Sequence, residues 1–241
     1  MGPFPMTATG WRFACAVAAS LQLGACGAAP SHEGRTAAHS TATTYVTLEQ
    51  LEALPPPPTA GSSAAQADEA AVRAWKAKRV EADCARAEET FFVSFRHLWG
   101  ERSPFPEPLP AEVQAFFDRL DAEIGSASKV LKSRYRRPRP DPADACPPIG
   151  GRKGGGFAYP STHAAISRLF AHVLTDLVPE RRAEFFERAD AIAHDRLVIG
   201  AHYPTDLAAG KELADRFHAA LLRSPAYRKD LAEVRSVTSR R

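Results

Sequence analysis

The sequence predicts an all-α fold, a single-domain helical bundle beginning near residue 45. Three observations predict it. After Gln66, apolar residues recur at three- and four-residue steps through most of the chain. No stretch alternates apolar and polar residues for long enough to make a strand. Proline and glycine fall mainly between the periodic segments, where they end elements rather than interrupt them. The chain has 241 residues, and its first quarter lacks a globular pattern. The remainder is about one ordinary domain, long enough to bury a core.

Arg12 precedes a short apolar run, 13–23, too short to span a bilayer. The run closes with Leu23, Gly24, Ala25 and Cys26, similar to a lipobox. Residues 1–26 are therefore read as a signal peptide, with two outcomes. Either Cys26 is lipidated and attaches the chain to a membrane, or cleavage near 25–29 releases a soluble protein. Both take it out of the cytoplasm, and the periplasm is the expected location.

Residues 27–44 are rich in Ala, Ser, Thr and Gly and read as a flexible tether. The domain is expected over 45–225. Residues 45–54 suit one short helix, stopped by the four prolines at 55–58, which force an extended segment lying on the domain. Residues 70–80 and 83–98 lack breakers and predict two helices. After a proline-rich turn at 104–110, Val113, Phe116, Phe117, Leu120, Ile124 and Ala127 mark one apolar stripe. Ile166, Leu169, Phe170, Val173, Leu174 and Leu177 mark another. Ala189, Ile192, Arg196 and Ile199 share a third face, which places an arginine at a core position. A last helix is expected from about Thr205 to Leu222, and residues 226–241 are read as a C-terminal tail.

The net charge of +3 gives no reason to expect nucleic acid as a partner. Its distribution is more informative. Residues 129–139 hold Lys129, Lys132, Arg134, Arg136, Arg137 and Arg139 without an acid, and end in an Arg-Pro pair that cannot continue a helix. A site for a small anion competes here with a solvated helix end. Two cysteines, Cys15 and Cys26, belong to the leader. The other two, Cys84 and Cys146, are expected to pair in an oxidising compartment. That would remove roughly 4 kcal/mol of denatured-chain entropy. Two cysteines are too few for a structural zinc site, and no convincing metal-ligand set is present.

Three short segments carry the chemistry. They are Lys132-x6-Arg139-Pro140, Tyr159-Pro160-Ser161-Thr162-His163, and Arg196-x5-His202-x3-Asp206. A lysine and two arginines suit a dianionic phosphate, which arginine binds through paired hydrogen bonds. A helix starting at Ser161–His163 offers free N–H groups and the positive end of its dipole. Two histidines supply a nucleophile and a proton donor. Asp206 can hold one nitrogen of His202 protonated and leave the other free to attack.

This arrangement resembles the three-part signature of the type 2 phosphatidic acid phosphatase superfamily, which also includes vanadium haloperoxidases. Leu54 followed by four prolines, the helix near Gln66 and Asp68, and the run from Lys132 to Pro140 look most like class A bacterial non-specific acid phosphatases. The resemblance covers roughly residues 48–222. It implies a helical bundle of the acid phosphatase/vanadium haloperoxidase type. It also implies a metal-independent phosphate monoesterase that needs no cofactor and acts on small phosphate esters. In that reading His202 is the nucleophile, Asp206 orients it, and His163 is the general acid. Lys132, Arg139, Arg196, Ser161 and the backbone N–H of Thr162 bind the phosphoryl oxygens. Related enzymes form dimers or larger assemblies, which leaves a homo-oligomer open for this chain.

Thr162 and Asp195 depart from the signature, which has Gly and Ser there. Thr is tolerable while its φ stays negative. Asp195 must point away toward a cation or weaken phosphate binding. Two alternatives accompany the phosphatase reading: a non-catalytic phosphate or oxyanion binder, and a vanadate-dependent haloperoxidase. With His202 neutral and His163 protonated, the pH optimum is expected on the acidic side of neutrality.

Overall fold

The computed structural model describes residues 44–51, 53–147 and 155–238. The leader with Cys26 and most of the tether lie outside the described residues. Within them the chain is all-α, with eight α-helices and no strand. They are α1 (Ser63–Lys78), α2 (Glu81–Glu88), α3 (Phe95–Trp99), α4 (Ala111–Tyr135), α5 (Thr162–Leu177), α6 (Arg182–Val198), α7 (Pro204–Leu221) and α8 (Pro225–Arg235).

Helix α5 is the central element. It is the most apolar helix of the bundle, and it packs chiefly against α6 and α7. The expected stripe from Ile166 to Leu177 is buried on it, and the stripe from Val113 to Ala127 is buried on α4. Phe117 from α4 and Phe95 from α3 stack at 3.7 Å, and both rings meet Phe170 of α5 edge-on. Large aromatic rings bury the most apolar area per residue, so this cluster fixes how α3, α4 and α5 meet.

Three expectations change in detail. The helix expected over 83–98 is two short helices with a turn between them. Thr90 and Phe91 in that turn are poor helix formers, and Ser94 starts α3 by accepting a bond from the His97 N–H. The short helix expected over 45–54 shrinks to one tight turn at Leu48–Gln50. Tyr45 and Val46 are instead buried, their N–H groups donating to the Glu123 carboxylate. The tail expected from residue 226 forms α8. Its Tyr227, Leu231 and Val234 recur at three- and four-residue steps and join the main core, and burying that face holds the segment down.

The four prolines run extended over the domain surface. Tyr135 donates to the Leu54 carbonyl at 2.9 Å and Tyr159 to that of Pro55, so one half-buried and one buried ring fasten the segment. Cys84 and Cys146 form a disulfide, joining α2 to the segment that follows α4. No helix among the described residues is long and apolar enough to cross a membrane.

Candidate active site

The site lies where the C-terminal end of α4, the start of α5 and the α6–α7 turn converge. Helix α4 ends because Pro138 cannot extend it, and Arg136 takes a left-handed conformation (φ +48°) to redirect the chain. The Ala158 N–H then bonds the Arg137 carbonyl at 2.9 Å, which docks the segment before α5 against the one after α4. Gly200 turns the chain between α6 and α7 with φ +72°. A Cβ there would lie 2.6 Å from the Asp144 carbonyl oxygen, so only glycine permits this approach. The turn delivers His202 to the site.

His202 is almost fully buried. Its Nε2 lies 3.1 Å from Arg139 Nη1, and its Nδ1 lies 3.5 Å from Asp206 Oδ2. Arginine can only donate, so the first contact puts the lone pair on Nε2 and the ring proton on Nδ1, facing Asp206. The second contact is long for a hydrogen bond. Asp206 is completely buried and accepts from the Tyr203 N–H at 2.9 Å and from Arg137 Nη1 at 2.6 Å. Burial alone would raise its pKa, but His202, Arg137 and the backbone donor together hold it below the usual carboxylate range. Burial pushes His202 down to about 4. The Asp206 contact opposes this, while Arg139 and Lys132 add to it.

Ser161 caps α5. Its oxygen accepts from the Ala164 N–H at 3.4 Å, which leaves the hydroxyl hydrogen free to donate. Thr162 has negative φ, as its place in the signature requires. Its hydroxyl pairs with Ser128 of α4 at 2.7 Å. His163 Nε2 lies 3.0 Å from the Phe91 carbonyl and donates to it, leaving Nδ1 as the second site for a proton. Burial, then the charge of Arg196, pushes His163 down to about 3.

The three expected cations have more structural partners than their sequence suggests. Lys132 Nζ donates to the carbonyls of Phe157, Ala158 and Pro160, which uses all three of its hydrogens. Burial, then Arg139, lowers its pKa to about 7. Arg139 bonds the carbonyls of Gly155, Gly156 and Ala201. Arg196 is almost fully buried, with Nη2 held 2.6 Å from both the Ala87 carbonyl and Thr90 Oγ1. Its Nε has no hydrogen-bond partner among the described residues, which leaves a buried donor for a phosphoryl oxygen.

The Asp195 question resolves toward a cation. Its carboxylate meets Arg86 at 3.5 Å and Thr90 Oγ1 at 3.3 Å, both from the α2 end of the fold. Tyr159, just before α5, is buried and packs edge-on against Tyr135, whereas Phe157 is exposed.

Sequence reasoning missed Arg137, Asp68 and Thr205. Arg137 bonds Asp68, Thr205 and Asp206 together. One signal was available: Ala65, Asp68 and Val72 share one face of α1, which puts a carboxylate at a core position. Thr90 and the carbonyls of Ala87 and Phe91 were also missed, and nothing in their sequence marks them. Among the described residues, no group of three or more His, Cys, Asp or Glu side chains is arranged to hold a metal ion.

Residues 122–230 match the family model described as the PAP2 superfamily. Particular relatives extend the comparison. A non-specific acid phosphatase of Salmonella typhi is 40% identical over 84 residues, 35% of this chain and 33% of that protein. The match thus spans about a third of that relative's length. An acid phosphatase of Zymomonas mobilis is 26% identical over 91% of this chain and 87% of its own. A crystal structure of a transmembrane PAP2 type phosphatidylglycerolphosphate phosphatase from Bacillus subtilis is 20% identical, with a TM-score of 0.45 over 75% of this chain and 91% of that one.

Proposed function

We propose that this protein is an exported acid phosphatase, a phosphoric monoester hydrolase that forms a phosphohistidine on His202 without a metal ion. The contact between Arg139 Nη1 and His202 Nε2 carries this reading. It puts a nucleophilic lone pair beside a guanidinium that can bind the phosphoryl group, with the ring proton on the Asp206 side. The relatives named acid phosphatase support the same chemistry.

In the first step, the Nε2 lone pair forms a bond to phosphorus as the ester P–O bond breaks. The leaving oxygen takes that electron pair and a proton from His163. In the second step, water attacks phosphorus and gives a proton to His163. The N–P bond breaks, its electron pair returns to Nε2, and inorganic phosphate leaves. Arg139, Arg196, Lys132, Ser161 and the N–H of Thr162 stabilise the charge on the phosphoryl oxygens. Arg139 and Arg196 do so by direct donation. Lys132 acts mainly through its charge unless it releases a carbonyl. A bound dianion offsets the positive field around His163 and lets it carry the proton it must deliver. That requirement places the optimum below neutrality.

Export rests on the leader and on the disulfide. A Cys84–Cys146 bond suits an oxidising compartment, in keeping with a periplasmic location. Substrates are small phosphate esters. The test is rapid quenching of turnover of a radiolabelled phosphate ester. A base-stable, acid-labile label on His202 is expected, and His202→Ala should abolish both label and turnover. Unchanged turnover in that variant would overturn the mechanism.

A further inference from the structure

Two buried carboxylates share one guanidinium behind His202. Asp68 is 3% exposed and Asp206 is 0% exposed. Arg137 Nη2 donates to Asp68 Oδ2 at 2.7 Å, while Nη1 donates to Asp206 Oδ1 at 2.6 Å and to Thr205 Oγ1 at 2.7 Å. The Thr205 hydroxyl passes its own hydrogen to Asp68 Oδ2, and the Thr205 N–H donates to Asp68 Oδ1 at 3.1 Å. The Arg137 guanidinium also lies over the Tyr203 ring at 4.3 Å. Each oxygen of Asp206 therefore has a separate task. Oδ1 is tied to Arg137, and Oδ2 is left for the Tyr203 N–H and His202 Nδ1.

We propose that Arg137, anchored on Asp68 of α1, is a positioning residue that fixes Asp206 so that its free oxygen holds the ring proton of His202 during phosphoryl transfer. The proposal rests on His202 being the nucleophile. Its physical basis is charge balance. With two carboxylates against one guanidinium, the cluster carries a net negative charge facing His202, which favours the positive charge that grows on the ring as Nε2 attacks. Removing Arg137 leaves two buried carboxylates side by side, and such a pair retains a proton to a higher pH. Removing the charge of Asp68 leaves Arg137 wholly to Asp206. The other charged or titratable groups that act on His202 are Arg139, Lys132 and the His163 ring, and none is altered by these changes.

The experiment compares Arg137→Gln, Asp68→Asn and the double variant with the wild type, using p-nitrophenyl phosphate, whose leaving group needs little help from His163. Labelling of His202 in the wild type is measured first, and its absence would reject the nucleophile reading by itself. Given that label, Arg137→Gln should lower kcat roughly 10- to 100-fold with little change in KM, the usual cost of losing a partner one shell out. It should also move the acid limb of kcat to higher pH. Asp68→Asn should move that limb to lower pH. The double variant should bring the limb back toward wild type and recover part of the kcat lost in Arg137→Gln. A purely structural role would lower stability without moving the limb. An unmoved limb, or limbs moving the same way in both single variants, overturns the proposal. Should Arg137→Gln fail to fold, the direction of the limb in Asp68→Asn decides.

Discussion

Thr90 Oγ1 accepts a 2.6 Å hydrogen bond from Arg196 Nη2 and lies 3.3 Å from Asp195 Oδ2, so one hydroxyl serves two neighbouring and oppositely charged residues of α6. Helix α6 sends these side chains to the end of α2, which the disulfide at Cys84 ties to the segment beside Gly200. The same α2–α3 turn supplies the Phe91 carbonyl to His163. One short turn thus supports both the arginine proposed to bind phosphate and the proposed general acid.

Thr90→Val keeps the shape and removes the hydroxyl. A buried guanidinium then loses an acceptor, which costs about 1–3 kcal/mol. Urea unfolding should show that loss, and KM for a phosphate ester should rise several-fold as Arg196 shifts. Thr90→Ser should restore both. Wild-type stability in Thr90→Val would mean that the Ala87 carbonyl alone holds Arg196.

Stability should fall as the solution is acidified. His163 and His202 are held down to about 3 and about 4, chiefly by burial, whereas both titrate near 6.5 when unfolded. Below about pH 6.5 the unfolded chain takes up protons that the folded chain refuses. Their contribution is therefore full above that pH and is lost progressively as pH falls toward about 4 and then about 3. Asp206, held below the carboxylate range, adds its own loss further down. His163→Gln can keep an N–H at the Nε2 position for the Phe91 carbonyl but cannot titrate, so urea midpoints between pH 7 and pH 4 should decline less steeply than in wild type. Equal slopes would count against a buried neutral His163.

Gly210 on α7 sits against the Ser161 carbonyl at the start of α5. Alanine would ordinarily stabilise a helix interior by about 1 kcal/mol relative to glycine. Here its Cβ would press on the Ser161 backbone and lie 3.0 Å from the Ala164 Cβ. Overpacking of that kind costs about 1–3 kcal/mol and outweighs the propensity gain. Gly210→Ala is expected to unfold at lower urea concentration and to lose activity, because Ser161 and the first N–H groups of α5 move. Increased stability would show that α5 and α7 can separate at no cost.

Periodicity and local chemistry determined most of what was legible beforehand. The apolar stripes of α4 and α5 were readable because a buried helix face repeats every three to four residues. The spacing of Lys132, Arg139, Ser161, His163, Arg196, His202 and Asp206 marked a candidate site, because the phosphate chemistry proposed for it needs those groups together. What lay beyond the sequence was how the helices meet. The turn at residues 89–94, α8 in place of a tail, and the carbonyl partners of Lys132 and Arg139 all depend on neighbours distant in the chain. Backbone carbonyls also have no sequence signature, since every residue carries one. The pairing of Asp68, Arg137 and Asp206 has the same origin. Two carboxylates 138 positions apart meet one guanidinium only after α1, the end of α4 and the start of α7 have packed together, and burial then requires that their charges be paired.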